Sequence, residues 1–166
     1  LKKGLYGSLR RSLQQAAQNQ RAYPSEDIDL AYHFQKLAYS KRGLTMPVSE
    51  RWWRDVWEAA LRRQAAEIWV VETEGGQVAG TLVVGLDERR IYYLSSGFHP
   101  DAPPGAMGLG LWSCIKKWSG SDRVFDFSGS MLQGINHFNR RFGGELIGYP
   151  ELRYARSGPL RWAMGF

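Results

Sequence analysis

Cysteine is almost absent from this chain. Cys114 stands alone in 166 residues, which excludes an internal disulfide and any zinc site built on several thiolates. A lone thiol fits a reducing compartment, so a cytoplasmic location is expected. Histidine is scarce too: His33, His99 and His137 are scattered without ligand spacing, and no metal is expected. No run of ~18 apolar residues occurs, so an integral membrane protein is not expected. The opening LKKGLYGSLRRSL lacks the apolar core and cleavage site of a signal peptide. No glycine fingerprint follows a first strand, as a dinucleotide-binding fold would need. Ser128 lies in Phe-Ser-Gly rather than Gly-x-Ser-x-Gly, and no acid–His order accompanies it, which argues against a serine hydrolase. There is no internal repeat and no low-complexity tract.

What remains is a chain large enough for one domain with a proper core. Seven Trp supply large apolar anchors, more of them expected in the core than in a ligand groove. The net charge is +6 and unevenly spread. Residues 1–25 carry Lys2, Lys3, Arg10, Arg11 and Arg21 with no acid. Such a segment can attract phosphate or nucleic acid, or can be a solvated helix face. Beyond it, acids and bases are interspersed, unlike the patterned stripe of a nucleic-acid binder. The chain begins on Leu, which suggests a piece of a longer protein or the loss of a few leading residues.

The hydrophobic period divides the chain. Residues 2–19 fit a helix weakened at its start by Gly4 and Gly7. Ser25 is placed to cap a helix over 27–41, which Gly43 ends. Ser49 is placed to cap a helix over about 50–65, with Trp53, Val56, Trp57, Ala60 and Gln64 along one stripe and Trp52 beside it. The pattern then becomes extended. Strands are expected over 68–73 and 77–85 around Glu74-Gly75-Gly76, and over 90–96. A helix over 107–119, a short central strand over 123–127 and a helix over 131–142 follow. Gly143 and Gly144 stop that helix, and strands are expected over 145–149 and 152–156, with an edge strand from Leu160 to Met164. Helices, an antiparallel meander and then alternating helix and strand describe an α/β (α+β) layer fold with a mixed, mostly antiparallel sheet.

Two strand-to-helix segments carry the most information. Residues 89–119 place Gly105-Ala106-Met107-Gly108-Leu109-Gly110 between a strand and a helix. Residues 123–145 place Asp126-Phe127-Ser128-Gly129-Ser130 before a helix that runs Gly134-Ile135-x-x-Phe138-x-x-x-Phe142-Gly143-Gly144. In this order they resemble the GCN5-related N-acetyltransferase (GNAT) superfamily. More narrowly, they resemble its Fem-like branch, which includes peptidoglycan aminoacyl transferases and proteins with two tandem GNAT-like domains. The resemblance covers nearly the whole chain and is best over 89–149. It implies one GNAT-like domain over residues 1–166, as a fragment or the C-terminal half of a longer protein.

The resemblance implies an acyl donor lying between two splayed strands, with the coenzyme A pyrophosphate at the helix start. There Gly105, Met107, Gly108, Leu109 and Gly110 would offer backbone N–H groups and close approach. The chain departs from the superfamily pattern here. Gly105 replaces the usual Arg or Gln, and no Arg or Lys lies between His99 and Cys114. Aminoacyl-tRNA, the donor of some Fem-like members, is therefore a second expected donor. The acceptor would be an amine-bearing small molecule, a peptidoglycan precursor or a protein N-terminus. The expected protein partners are an N-terminal GNAT-like domain of the same protein or a second copy. A non-catalytic half that binds acceptor or completes a partner's site is the alternative.

Acyl transfer to an amine needs a neutral amine, a donor to the carbonyl oxygen and sometimes a proton for the leaving group. Asp126 interrupts an apolar strand; it either orients the acceptor amine and takes its proton or caps the following loop. His99 sits on a loop near the expected donor as a base, an acceptor contact or a solvent-facing residue. Tyr149 is a further catalytic candidate on the acceptor side, following the paired glycines. Tyr93, Ser96 and Ser128 are candidates for contacting substrate. Tyr92 and Tyr93 must face opposite sides of their strand, so one faces the core and the other is free for the cleft. Ser130 either binds substrate or caps the last helix.

Overall fold

The computed structural model describes residues 5–129 and 133–148. Ten elements follow in order: α1 (Gly7–Asn19), β1 (Gln20–Ser25), α2 (Ile28–Ser40), α3 (Glu50–Arg62), β2 (Ala66–Thr73), β3 (Val78–Leu86), β4 (Arg90–Phe98), α4 (Ala106–Lys117), β5 (Val124–Asp126) and α5 (Gln133–Arg140). The strands form one sheet in the order β1-β2-β3-β4-β5. β1 to β4 pair antiparallel, and β5 joins β4 in parallel. A parallel neighbour needs a crossover, and α4 supplies it.

Side chains alternate across the sheet and divide the core in two. On one face Trp69, Leu82, Val84 and Ile91 meet Leu9 and Leu13 of α1 and Leu109 and Leu111 of α4. On the other, Ile68 and Val83 meet Ala31 of α2 and Trp53 of α3. Because both faces are covered, β2 and β3 read as nearly continuous apolar runs rather than alternating ones. Gly110 lets α4 lie on the sheet. A Cβ there would stand 2.6 Å from Leu82 Cδ2 and 2.9 Å from Val71 Cγ2. Cys114 is buried on the same helix, and that burial pushes its thiol pKa up to about 12.

Several expectations are corrected. The first helix begins at Gly7, not residue 2; residues 1–4 lie outside the described residues. Residues 20–25 form a strand that the helical reading missed, pairing from Gln20↔Thr73 to Ser25↔Ile68. Asp27, not Ser25, caps α2, its carboxylate accepting from Leu30 N–H at 2.8 Å. Ser25 is instead the last residue of β1, its Oγ accepting from Asp27 N–H. β5 is the last strand of the sheet among the described residues, and the later strands expected to flank it fall mostly outside them. Residues 145–148 form no strand. Residues 149, 152–156 and Leu160 to Met164 lie outside the described residues, as do Ser130 and Met131. Ser49 does cap α3, accepting from Trp52 N–H at 3.2 Å. Trp53 is buried, whereas Trp52 is exposed.

Candidate active site

β4 is nine residues long and β5 only three. Their pairing is limited to Arg90↔Val124, Ile91↔Phe125 and Tyr92↔Asp126. From Tyr93 to Phe98, the edge of β4 turned toward β5 has no strand partner among the described residues. This opens a gap between neighbouring strands, and α4 begins beyond its far end.

A β-bulge shapes the free half of β4. Val84 pairs with Tyr93 and Val83 with Ser95, leaving Leu94 as the extra residue. The extra residue puts Tyr93 and Ser96 on the same face, where their hydroxyls share a short hydrogen bond. Burial raises the Tyr93 pKa above the ordinary tyrosine value; the Ser96 bond and the Arg42 charge oppose it. Tyr93 therefore keeps its proton at neutral pH and can donate it. Leu94 itself is half exposed.

The start of α4 is built by Gly105, whose left-handed φ of 86° turns the chain into the helix. Ala106 N–H donates to Pro103 O and Leu109 N–H to Gly105 O. The glycine faces are not open to a ligand. A Cβ on Gly105 would stand 3.0 Å from Ala16 Cβ, and one on Gly108 would stand 3.5 Å from Leu13 Cδ2, so α1 packs over both. Leu109 is buried in the core and Met107 is packed against it. Of this segment, the backbone N–H groups of the first turn are what can serve an anion.

Asp126 ends β5, level with Tyr92. One carboxylate oxygen accepts from Arg90 Nη1 at 2.8 Å, and the other accepts from Ser128 N–H at 2.8 Å. The second bond stabilises a turn in which Ser128 adopts a φ of 58° and Gly129 a φ of 67°. Ser128 is exposed at the foot of the gap. His99 lies at the opposite end, its N–H bonded to Ala79 O and its Nδ1 accepting from Asp101 N–H at 3.2 Å. Seven residues of β4 and its extension separate the level of His99 from that of Asp126, roughly 20 Å of strand. Tyr93 and Ser96 are thus brought together, while Asp126 and His99 stand at the two ends of the gap. Tyr149 lies outside the described residues.

Sequence reasoning missed four contributors. Leu94 was hidden because a bulge leaves no composition signal in IYYLSSGF. Lys41 closes the far end by donating from Nζ to Phe98 O at 2.7 Å. Ser95, opposite Val83, and Gln35 of α2 each carry a buried side-chain oxygen with no hydrogen bond in the described protein. Gly97 explains how α2 comes so close, since a Cβ there would stand 1.8 Å from Phe34 O. Trp112 of α4 is buried in the core.

Comparison with known proteins gives this architecture its place. No curated protein matches the chain. The crystal structure of FemX superposes with a TM-score of 0.70 at 10% identity, covering 85% of this chain and 54% of that one. A "possible acetyltransferase" from Clostridium difficile 630 gives 0.64 at 11% identity, covering 82% and 97%. A "predicted acetyltransferase" with acetyl-CoA from Clostridium acetobutylicum gives 0.62 at 14% identity, covering 81% and 95%. At such identities the likeness shows the fold alone. The family described as acetyltransferase (GNAT) domain matches residues 5–149, most of the chain. Its reach over the gapped sheet, the bulge and the crossover helix means that the chain belongs to the GNAT acyltransferase family.

Proposed function

We propose that this domain moves an acyl group from an activated ester, first of all an acyl-CoA thioester, to an amine, with the donor lying in the gap between β4 and β5. The observation that carries the reading is the unpaired, bulged half of β4 beside the start of α4. An extended amide-bearing arm can pair with the free backbone edge from Tyr93 to Phe98, as an added strand would. The first-turn N–H groups of α4, Met107 and Gly108 among them, are the fit for a pyrophosphate. Gly105 and Gly110 shape the helix start, and Leu109 anchors it. Coenzyme A would supply the thioester and its leaving thiolate. Tyr93 is placed to donate a proton at the gap, with Ser96 fixing its hydroxyl. Ser128 and Asp126 line the foot and His99 the far end. The amine nitrogen forms the new C–N bond, the ester bond breaks, and the amine's proton passes to solvent or a neighbouring base.

The chemistry of the gap admits small amines, protein N-termini and peptidoglycan precursors as acceptors. α1 over the glycine faces and the lack of Arg or Lys between His99 and Cys114 favour aminoacyl-tRNA as the second donor to test. The match to about half of FemX supports an arrangement in which residues 1–166 work beside another GNAT-like domain or a second copy. In that arrangement the described half binds acceptor or completes the partner's site if it is not itself catalytic. No described helix is long and apolar enough to cross a membrane, and we place the reaction in the cytoplasm.

Calorimetric titration with coenzyme A and acetyl-CoA tests the donor, on this chain and on the longest native form. Saturable one-site binding by these 166 residues is the expected result. Binding by the longer form alone would move the donor to another domain. Binding by neither would remove coenzyme A and leave aminoacyl-tRNA to be tried.

A further inference from the structure

A second site lies at the other end of the sheet, where β1 and β3 finish and β2 begins. A cavity of about 510 Å³ opens there, lined among others by Leu61, Ile68, Leu86, Trp118, Glu26 and Arg123. Its volume falls in the range of small-molecule sites. It lies at the opposite end of the sheet from the start of α4, where the donor pyrophosphate is proposed to sit, and none of its lining residues is among those assigned to the donor.

The charges around this cavity are unequally satisfied. Glu67 is nearly buried and fully engaged. It accepts from Lys117 Nζ at 2.5 Å, from Trp69 Nε1 at 2.9 Å and from Trp118 Nε1 at 3.3 Å. That network holds the Trp118 indole in place as a wall. Arg123 then stacks on the indole, its Cζ 4.6 Å from the ring centroid, and is half-buried without an ion pair among the described residues. A guanidinium fixed on an aromatic plate and lacking a carboxylate is a ready partner for one. Glu26 stands on the rim, also without an ion pair among the described residues. Leu61, Ile68 and Leu86 give the cavity an aliphatic lining.

We infer that this cavity binds a small zwitterion with an apolar body, of the class of an aliphatic amino acid. The carboxylate would pair with Arg123, the ammonium with Glu26 and the side chain would cover the aliphatic lining. A phosphate or other polyanion is the wrong partner, because Glu26 and Glu67 both line the cavity and repel added negative charge. An uncharged apolar ligand is wrong as well, since it would cover Arg123 and Glu26 without pairing either.

The test is calorimetry on the full chain with two probes, L-leucine and 4-methylpentanoate, which share carboxylate and body and differ by the ammonium. Leucine is expected to bind saturably at one site, more tightly than 4-methylpentanoate. Arg123→Ala is expected to weaken leucine by at least about tenfold, the loss of a charge-assisted pair. Glu26→Gln is expected to abolish the advantage of leucine over 4-methylpentanoate without weakening 4-methylpentanoate. Glu26 is exposed and Arg123 is half-buried on the Trp118 ring, so a melting scan of each variant separates lost binding from lost stability. Absence of saturable leucine binding, equal binding of the two probes, or leucine binding unmoved by Arg123→Ala would each overturn the assignment.

Discussion

The two halves of β4 share one strand and one sequence context, yet do opposite things. From Arg90 to Tyr92 the strand is clamped on both sides, by β3 and by β5, with Arg90 tied to Asp126. From Tyr93 to Phe98 it keeps β3 and loses β5. The clamped half is stabilised by ladder bonds and pairs on both sides; the free half has no strand partner on its β5 side among the described residues and is backed instead by α2 and by the Tyr93–Ser96 bond. Unmade sheet pairing is costly in a buried strand. The unpaired edge beside the α4 N-terminus is the observation on which the proposed donor site rests.

The largest contrast between the halves should appear on adding one methyl group to each. Gly97→Ala in the free half drives a Cβ into the Phe34 carbonyl, a backbone atom that cannot swing aside. We expect a loss of about 3 kcal/mol in urea unfolding. Gly85→Ala, opposite Tyr92 in the clamped half, meets only the flexible end of Leu94 at 3.0 Å, and should cost under about 1 kcal/mol. Equal costs would mean that α2 does not back the free half as described.

Next comes Tyr93→Phe. If the gap is the reaction site, kcat should fall by about 100-fold, the usual worth of a positioned proton donor. Donor affinity measured by calorimetry should hold. The matching loss of stability should be only about 1 kcal/mol, one hydrogen bond. An unchanged kcat would leave Tyr93 as a purely structural partner of Ser96.

A smaller effect is expected from the clamp. Arg90 and Asp126 are partly exposed, and a double-mutant cycle with Arg90→Ala and Asp126→Ala should report a coupling of at most about 1 kcal/mol. A much larger coupling would show that the clamp, rather than the sheet, holds the gap open.

The smallest effect concerns the turn that enters the clamped half. Hydrogen bonds from Arg89 N–H, Tyr92 Oη and Arg90 N–H hold the Asp87 carboxyl below the ordinary carboxylate range. Its folded pKa is thus below its unfolded one. The stability it contributes is present above the unfolded value and is lost as pH falls through the folded one. Asp87→Asn should therefore flatten the acid side of a melting-temperature profile and leave its neutral-to-basic shape alone. An identical acid slope in the variant would show that other carboxylates set it.

Much of the fold was legible because its signals are local. The Glu74-Gly75-Gly76 turn between two apolar runs is a hairpin in the structure, and Ser49 before the tryptophan-rich stripe is a true N-cap. β1 was not legible, because QRAYPS has neither an apolar run nor clean alternation; it is a strand only because β2 offers it an edge. The site was legible in outline and not in detail. Asp126 stood out as an acid in an apolar strand, but its partner Arg90 lies 36 residues away in the sequence. The glycines of 105–110 were read for phosphate, yet two face α1 and one faces the sheet, relations that no spacing within the segment encodes.

The sequence by itself determined most of the order of helices and strands, though not β1, together with the single thiol and the two strand-to-helix passages, since periodicity, capping and glycine placement act between near neighbours. Only the tertiary structure decided where the sheet stops pairing, which face Tyr93 and Ser96 share and which charges go unanswered at the far cavity. Those outcomes depend on contacts between residues distant along the chain, and their balance of packing against pairing is struck only once the layers have closed.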